Sequence, residues 1–267
     1  MKKAIGIFDS GIGGLTVLRE IKNLLPSEDT IYLGDTARVP YGTKSKETVI
    51  RYSIENSNFL MKKEIKLLVI ACNTASAFAL DELSESLAIP VIGVIESGSR
   101  KAVEVTRTNR VGVIGTEGTI RSGAYFDAIK RLAPKVAVFN SACPLFVPLA
   151  EEGWLDNRIA MLTAKFYLKK LVDEGVDTVV LGCTHYPLLK GTIANVMGSD
   201  VTLVDSAEET AAEVATVLRN KGLLNVSRKG QSNHIFFVTD SPKRFIKIGR
   251  SFFGEGLDEV RIVTLED

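Results

Sequence analysis

Histidine and tryptophan are scarce in this sequence, with two and one among 267 residues, and cysteine numbers only three. An odd count of three cysteines in a chain of this length does not make a disulfide framework. Two cysteines and a histidine could in principle hold zinc, but no close CxxC or HxxxH spacing is present, so no metal is expected. Charge of one sign is missing too. The 33 Lys and Arg balance 32 Asp and Glu to a net charge of +1. With no basic block and no interleaving of basic and aromatic residues, the composition excludes a nucleic-acid partner and an anionic membrane surface. Long apolar runs are absent, and nothing approaches the ~20 residues of a membrane span. The N-terminal MKKAIGIFDSGIGG starts like a signal peptide, but its apolar run breaks at Asp9, short of the roughly 7–15 apolar residues that export requires. These absences describe a cytoplasmic, reduced protein with free thiols.

What is present is a repeated pattern. Short apolar, β-branched runs occur at residues 4–9, 30–35, 67–72, 91–95, 110–116, 135–141, 178–183, 201–206, 234–240 and 259–265. Most are apolar at nearly every position, as in strands covered on both faces by helices. Helical segments separate them. Leu15, Leu18 and Ile21 share a face before Pro26, and Leu80, Leu83 and Leu87 do so before Pro90. Ser206 with Glu209 reads as a capping box opening a helix that Gly222 closes. The fold class is therefore α/β, with two similar doubly wound domains, mostly parallel sheets, and a site in the cleft between them. The length suits two domains. The expected division is 1–96 plus 207–267 for a discontinuous first domain and 97–206 for the second, with the last two strands returning to the first.

In open α/β sheets, ligands sit beyond the carboxyl ends of the strands. The first strand runs into Asp9-Ser10 and a glycine-rich loop, residues 9–14, that opens a helix. This is neither a dinucleotide fingerprint nor a P-loop, since Thr16 stands at the third glycine position and no Gly-Lys-Ser/Thr follows. It is either a cradle for a small anion such as a carboxylate or a plain tight turn. The second strand leads to residues 35–42, DTARVPYG, a loop with Pro40 and Gly42 as turn residues and Tyr41 as a polar aromatic, which by itself reads as an ordinary surface loop. After the fifth strand, Thr116 and Thr119 in VIGTEGTI could bind a ligand or merely cap a helix.

The most informative feature is an echo. LVIACNTAS, residues 68–76, and VVLGCTHYP, residues 179–187, each carry an apolar strand into a cysteine followed by polar residues. Either cysteine alone reads as a small core hydrophobe. As a matched pair at strand ends, each before a helix start that favours thiolate, Cys72 and Cys183 can face one ligand from opposite sides. One thiolate would take a proton from a carbon while the other thiol delivers one to the opposite face, inverting the centre without a cofactor. Backbone amides and hydroxyls nearby would stabilise the carbanion. His185 could assist as an acid or be structural. Cys143 and His234 lack this setting and read as structural.

The segments FDSGIGGLTV, YLGDTARVPYG, IACNTASA, VIGTEGTI and LGCTHYPLL resemble, in order, the motif set of bacterial glutamate racemases in the aspartate/glutamate racemase superfamily. The resemblance runs from Ile5 to about Ser206. It implies an isomerase that interconverts L- and D-glutamate without pyridoxal phosphate or metal and supplies D-glutamate for peptidoglycan, hence cell wall and cell shape. Cys72 would take the proton of D-glutamate and Cys183 that of L-glutamate. Asp9 would support Cys72, and His185 and Glu151 would support Cys183. Ser10, Tyr41, Gly42, Asn73, Thr74, Thr184, Thr116 and Thr119 would bind substrate. The family's members are usually homodimers. A sister racemase for aspartate or a hydantoin, and a binding protein for small carboxylates with inert cysteines, are the competing readings.

Overall fold

The computed structural model describes residues 3–225 and 232–265. Its strands are β1 (Ile5–Asp9), β2 (Thr30–Gly34), β3 (Leu67–Ile70), β4 (Val91–Gly93), β5 (Arg110–Gly115), β6 (Ala137–Ala142), β7 (Thr178–Gly182), β8 (Thr202–Asp205), β9 (His234–Val238) and β10 (Val260–Ile262). Each apolar run of the sequence became one of them. The helices are α1 (Leu15–Leu24), α2 (Lys46–Met61), α3 (Asn73–Ser86), α4 (Ile95–Val105), α5 (Glu117–Ser122), α6 (Ala124–Leu132), α7 (Phe146–Glu151), α8 (Arg158–Asp173), α9 (Lys190–Met197), α10 (Ser206–Asn220) and α11 (Pro242–Phe253).

The strands form two sheets, one of six in the order β10-β9-β2-β1-β3-β4 and one of four in the order β6-β5-β7-β8. Every ladder is parallel. The smaller sheet repeats the β2-β1-β3-β4 order of the larger, so β7 is the counterpart of β3. Beyond the second sheet, the chain returns to the first through β9 beside β2.

Strands that are apolar at every position are explained by what covers them. Val69 joins a core with Leu15, Leu18 and Phe252 of α1 and α11. Its neighbours Leu68 and Ile70 join another with Val49 and Leu83 of α2 and α3. In the second sheet, Val179 and Leu181 pack with Phe146 and Leu168 of α7 and α8, while Val180 packs with Ala102 and Ile129 of α4 and α6. Alternate side chains point to opposite faces, and both faces are dry.

One local expectation fails. Helix α10 is not opened by a Ser206–Glu209 box. Asp205 is the N-cap, and its carboxylate accepts from the Ala207 amide at 2.9 Å. Asp205, the last residue of β8, reaches the free amides first, which makes Ser206 the first helical residue.

Candidate active site

In the six-stranded sheet the chain turns one way from β1 to β2 and the other way to β3, so the loops after β1 and β3 diverge and leave a crevice. The same divergence separates β5 from β7. Register then decides which side chains meet. Phe8 pairs with Ile70, so two residues further on Ser10 lies beside Cys72, with Oγ 3.6 Å from Sγ. Gly115 pairs with Gly182, which sets Thr116 and Cys183 at corresponding places in the other sheet. Ser10 with Cys72 and Thr116 with Cys183 thus stand at equivalent backbone positions of the two switch points.

The two crevices open onto one shared, narrow cleft with about 30 Å³ of free space. Of the residues singled out in the sequence, all but Asp9, Thr119 and Glu151 line it. Thr119 lies one shell behind, in mutual contact with Thr74 and Thr116 at 2.9 to 3.1 Å. This hydroxyl trio spans the two sheets, since Thr74 opens α3 and Thr116 caps α5. Tyr41 lines the cleft, but its hydroxyl is taken. It donates to Asp35 and accepts from Asn56 Nδ2 at 3.0 Å, so the side chain offers the cleft its ring.

The two sulfurs have different surroundings. Cys72 is the N-cap of α3, as the sequence suggested, but the helix terminus does not control it. Burial first, and then the Asp9 charge, push its thiol up to about 12, against smaller pulls from the Ala75 amide and the Ser10 hydroxyl. The expectation of a ready thiolate at Cys72 is corrected, because removing a thiolate from water costs more than one helix end returns. The raised value keeps Cys72 protonated as pH rises. At pH 8 its alkylation by iodoacetamide in the unliganded protein is expected to be roughly a thousandfold slower than that of a free cysteine. Peptide mass spectrometry against a time course checks this, and equal rates would contradict it.

Cys183 is not followed directly by an α-helix. Tyr186–Leu189 form a 3₁₀ turn and α9 begins at Lys190. What stands next to the sulfur instead is His185, with Nδ1 at 3.8 Å. The other ring nitrogen meets Glu151 Oε1 at 3.2 Å. Burial opposes a charge on the ring, but the hydrogen bonds and charges of Cys183 and Glu151 outweigh it and raise the imidazole to about 10. The Cys183 sulfur therefore has a cation as its neighbour. Asp9 is fully buried, and burial raises its carboxyl above the usual range while the nearby His185 opposes this. Its Oδ2 accepts from the Gly11 amide at 2.9 Å, and Oδ1 has no partner among the described residues.

The glycine-rich loop is used for close approach between the lobes. A Cβ on Gly13 would lie 2.1 Å from Thr184 Oγ1 and 2.6 Å from His185 Nδ1, and one on Gly42 would lie 2.6 Å from Thr116 Cβ. Several contributors were missed in the sequence. Val39, Pro40 and Val147 form apolar walls of the cleft. Arg244 on α11 holds Glu151 Oε2 at 3.2 Å, and the Phe252 ring packs edge-on against His185 at 5.3 Å. Val39 and Pro40 adjoin Tyr41 in a stretch already singled out, whereas Val147, Arg244 and Phe252 carry no local signal, because each reaches the site from an element remote from the motifs. Among the described residues, no helix is long and apolar enough to cross a membrane, and no group of three or more His, Cys, Asp and Glu could hold a metal ion.

The Asp/Glu/hydantoin racemase family model matches residues 5–214. The fold and that match define the chain as an isomerase of the Asp/Glu/hydantoin racemase family, to which it belongs. Within the family it stands with the glutamate racemases. It is 64% identical to the glutamate racemase of Geobacter metallireducens over 264 residues, 99% of this chain and 97% of that one. The crystal structure of a glutamate racemase from Bacillus anthracis superposes with a TM-score of 0.95 at 43% identity, covering 99% of both chains. That of the Francisella tularensis glutamate racemase, in complex with D-glutamate, gives 0.93 at 40% identity, covering 99% of this chain and 98% of that one.

Proposed function

We propose that this protein interconverts L- and D-glutamate by a two-base mechanism in which Cys72 and Cys183 work from opposite sides of the α-carbon, with no cofactor. The observation that carries this reading is that two cysteines, at equivalent strand ends of two sheets of the same order, line one cleft. In the L-to-D direction, Cys183 as thiolate takes the α-proton and becomes a thiol. The carbanion's pair then takes the proton of the Cys72 thiol on the other face, leaving Cys72 as thiolate. The D-to-L direction reverses both transfers.

The unliganded site suits the first direction. Cys72 holds its proton and Cys183 sits beside a cationic His185 held by Glu151. For the second direction Cys72 must lose its proton, and an ammonium group arriving with the substrate would supply the positive charge that burial denies it. Asp9, whose charge acts on Cys72, would manage the proton on that side. Ser10, Gly42, Asn73, Thr74, Thr116 and Thr184 would hold the substrate, with Thr119 steadying the two threonines and the Tyr41 ring closing one wall. The matched cysteines are what separate this reading from a binding protein, which has no use for the pair.

The same reading gives D-glutamate for peptidoglycan as the product's use and the cytoplasm as the location, supported by three cysteines that are all free. It divides the chain into 1–96 with 207–267, and 97–206, supported by the sheet membership of β9 and β10. It includes a homodimer, supported by the exposed Ile159, Leu162 and Phe166 on one face of α8, and light scattering should give twice the chain mass. The deciding assay is incubation with L-glutamate in heavy water without added cofactor. D-glutamate carrying deuterium at the α-carbon is the expected product. L-glutamate recovered with its α-proton would refute the reading, and faster turnover of aspartate or a hydantoin would move the chain to a sister activity.

A further inference from the structure

Behind the cleft lies a buried tyrosine that no sequence motif singled out. Tyr125, on α6 of the four-stranded-sheet lobe, is 2% exposed. Its ring lies over the chain just before Cys183, where a Cβ on Gly182 would come within 3.1 Å of Tyr125 Cε2. Its hydroxyl crosses to the other lobe and accepts from Asn73 Nδ2 at 2.8 Å. In this contact the amide N–H donates and the phenol oxygen supplies the lone pair.

Asn73 itself is 3% exposed and lines the cleft directly after Cys72. Its Nδ2 is spent on Tyr125, and its Oδ1 has no hydrogen-bond partner among the described residues. A buried carbonyl without a partner is costly. The cleft is where a donor can come from. An amide has two ends of nearly equal shape and opposite hydrogen-bonding character. Turned over, Asn73 would offer the cleft an N–H pair and favour an anion or a carbonyl there.

We propose that Tyr125 is a positioning residue that fixes which end of the Asn73 amide faces the cleft, and so selects ligands that bring a donor, above all a cationic amino group, to that side of the site. The role rests on the glutamate reading above and adds to it a cause for discrimination between an amino acid and the same dicarboxylate without its amino group. Cys72 and the amino group are thereby addressed by adjacent residues of one turn.

The test compares D-glutamate with glutarate, its deaminated counterpart, in wild type and Tyr125→Phe. The variant keeps the ring and removes only the hydroxyl. The expected result is a KM for D-glutamate raised about tenfold with kcat within about threefold, since the lost orientation weakens ground and transition states alike. Inhibition by glutarate should be unchanged, so the preference for the amino acid collapses by the same factor. A merely structural hydroxyl would weaken both ligands equally, and that outcome, or no change in either, overturns the proposal. Should Tyr125→Phe fail to fold, Asn73→Leu removes both ends of the amide at a similar shape and should shift the ratio by at least about threefold in the same direction, an unchanged ratio again being decisive against it. Failure of the glutamate reading would show separately, as wild-type protein that does not bind D-glutamate.

Discussion

Replacement of either Cys72 or Cys183 by alanine is expected to lower glutamate racemisation by at least about a thousandfold, the range general acid–base groups supply. Inversion needs one group on each face of the α-carbon, and removing either leaves a planar carbanion that can be reprotonated only from the side it came from. The two variants should therefore fail differently. Cys183→Ala retains the base for D-glutamate, so in heavy water it should exchange the α-proton of the D enantiomer without forming L. Cys72→Ala should exchange L-glutamate and leave D untouched. Both should still bind the substrate, because the hydroxyls and amides of the cleft remain. Each sulfur is nearly buried, so a thermal melt of each variant separates lost chemistry from lost fold. A variant that racemises within tenfold of wild type would break the two-base mechanism. Exchange in neither variant, with binding intact, would favour a binding protein with inert thiols.

The second large effect is expected at a residue with no side chain. In Gly13→Ala the new methyl must sit where Thr184 Oγ1 and His185 Nδ1 already are, at 2.1 and 2.6 Å, so the strand-end loops of the two lobes are forced apart. Displacement of reacting groups by about 1 Å can cost about a hundredfold in rate, and kcat/KM is expected to fall by about that much. Gly191→Ala is the control, since nothing lies within 4 Å of its Cβ position, and it should leave activity unchanged. Near-normal kcat/KM in Gly13→Ala would show that the lobes are free to separate without consequence.

The contrast between these two predictions marks where linear reading works. The pairing of Cys72 with Cys183 was legible because each sits at the end of an apolar strand of the same kind, and strand ends are where parallel sheets place ligands. The motif set carried Asp9, Ser10, Asn73, Thr74, Thr184 and His185 to the same region. The ten strands were legible because a strand covered by helices on both faces must be apolar throughout. The surroundings of the two sulfurs were not. A helix start at Cys72 suggested a low thiol pKa, yet burial and Asp9, which depend on how the first lobe closes, push it to about 12. At Cys183 the expected helix is a 3₁₀ turn, and the cation beside the sulfur is a histidine held by a glutamate 34 positions away.

The sequence by itself determined the fold class, the strand order's raw material and the two candidate thiols, because hydrophobic periodicity and local turns are short-range properties of the chain. Only the tertiary structure decided that both thiols share one cleft, that Gly13 and Gly42 serve contact between lobes, and that Tyr125, Arg244 and Phe252 brace the site. Those contacts join segments separated by tens to hundreds of residues. Burial, charge and steric fit at such places are properties of the neighbours, and the neighbours exist only once the chain has folded.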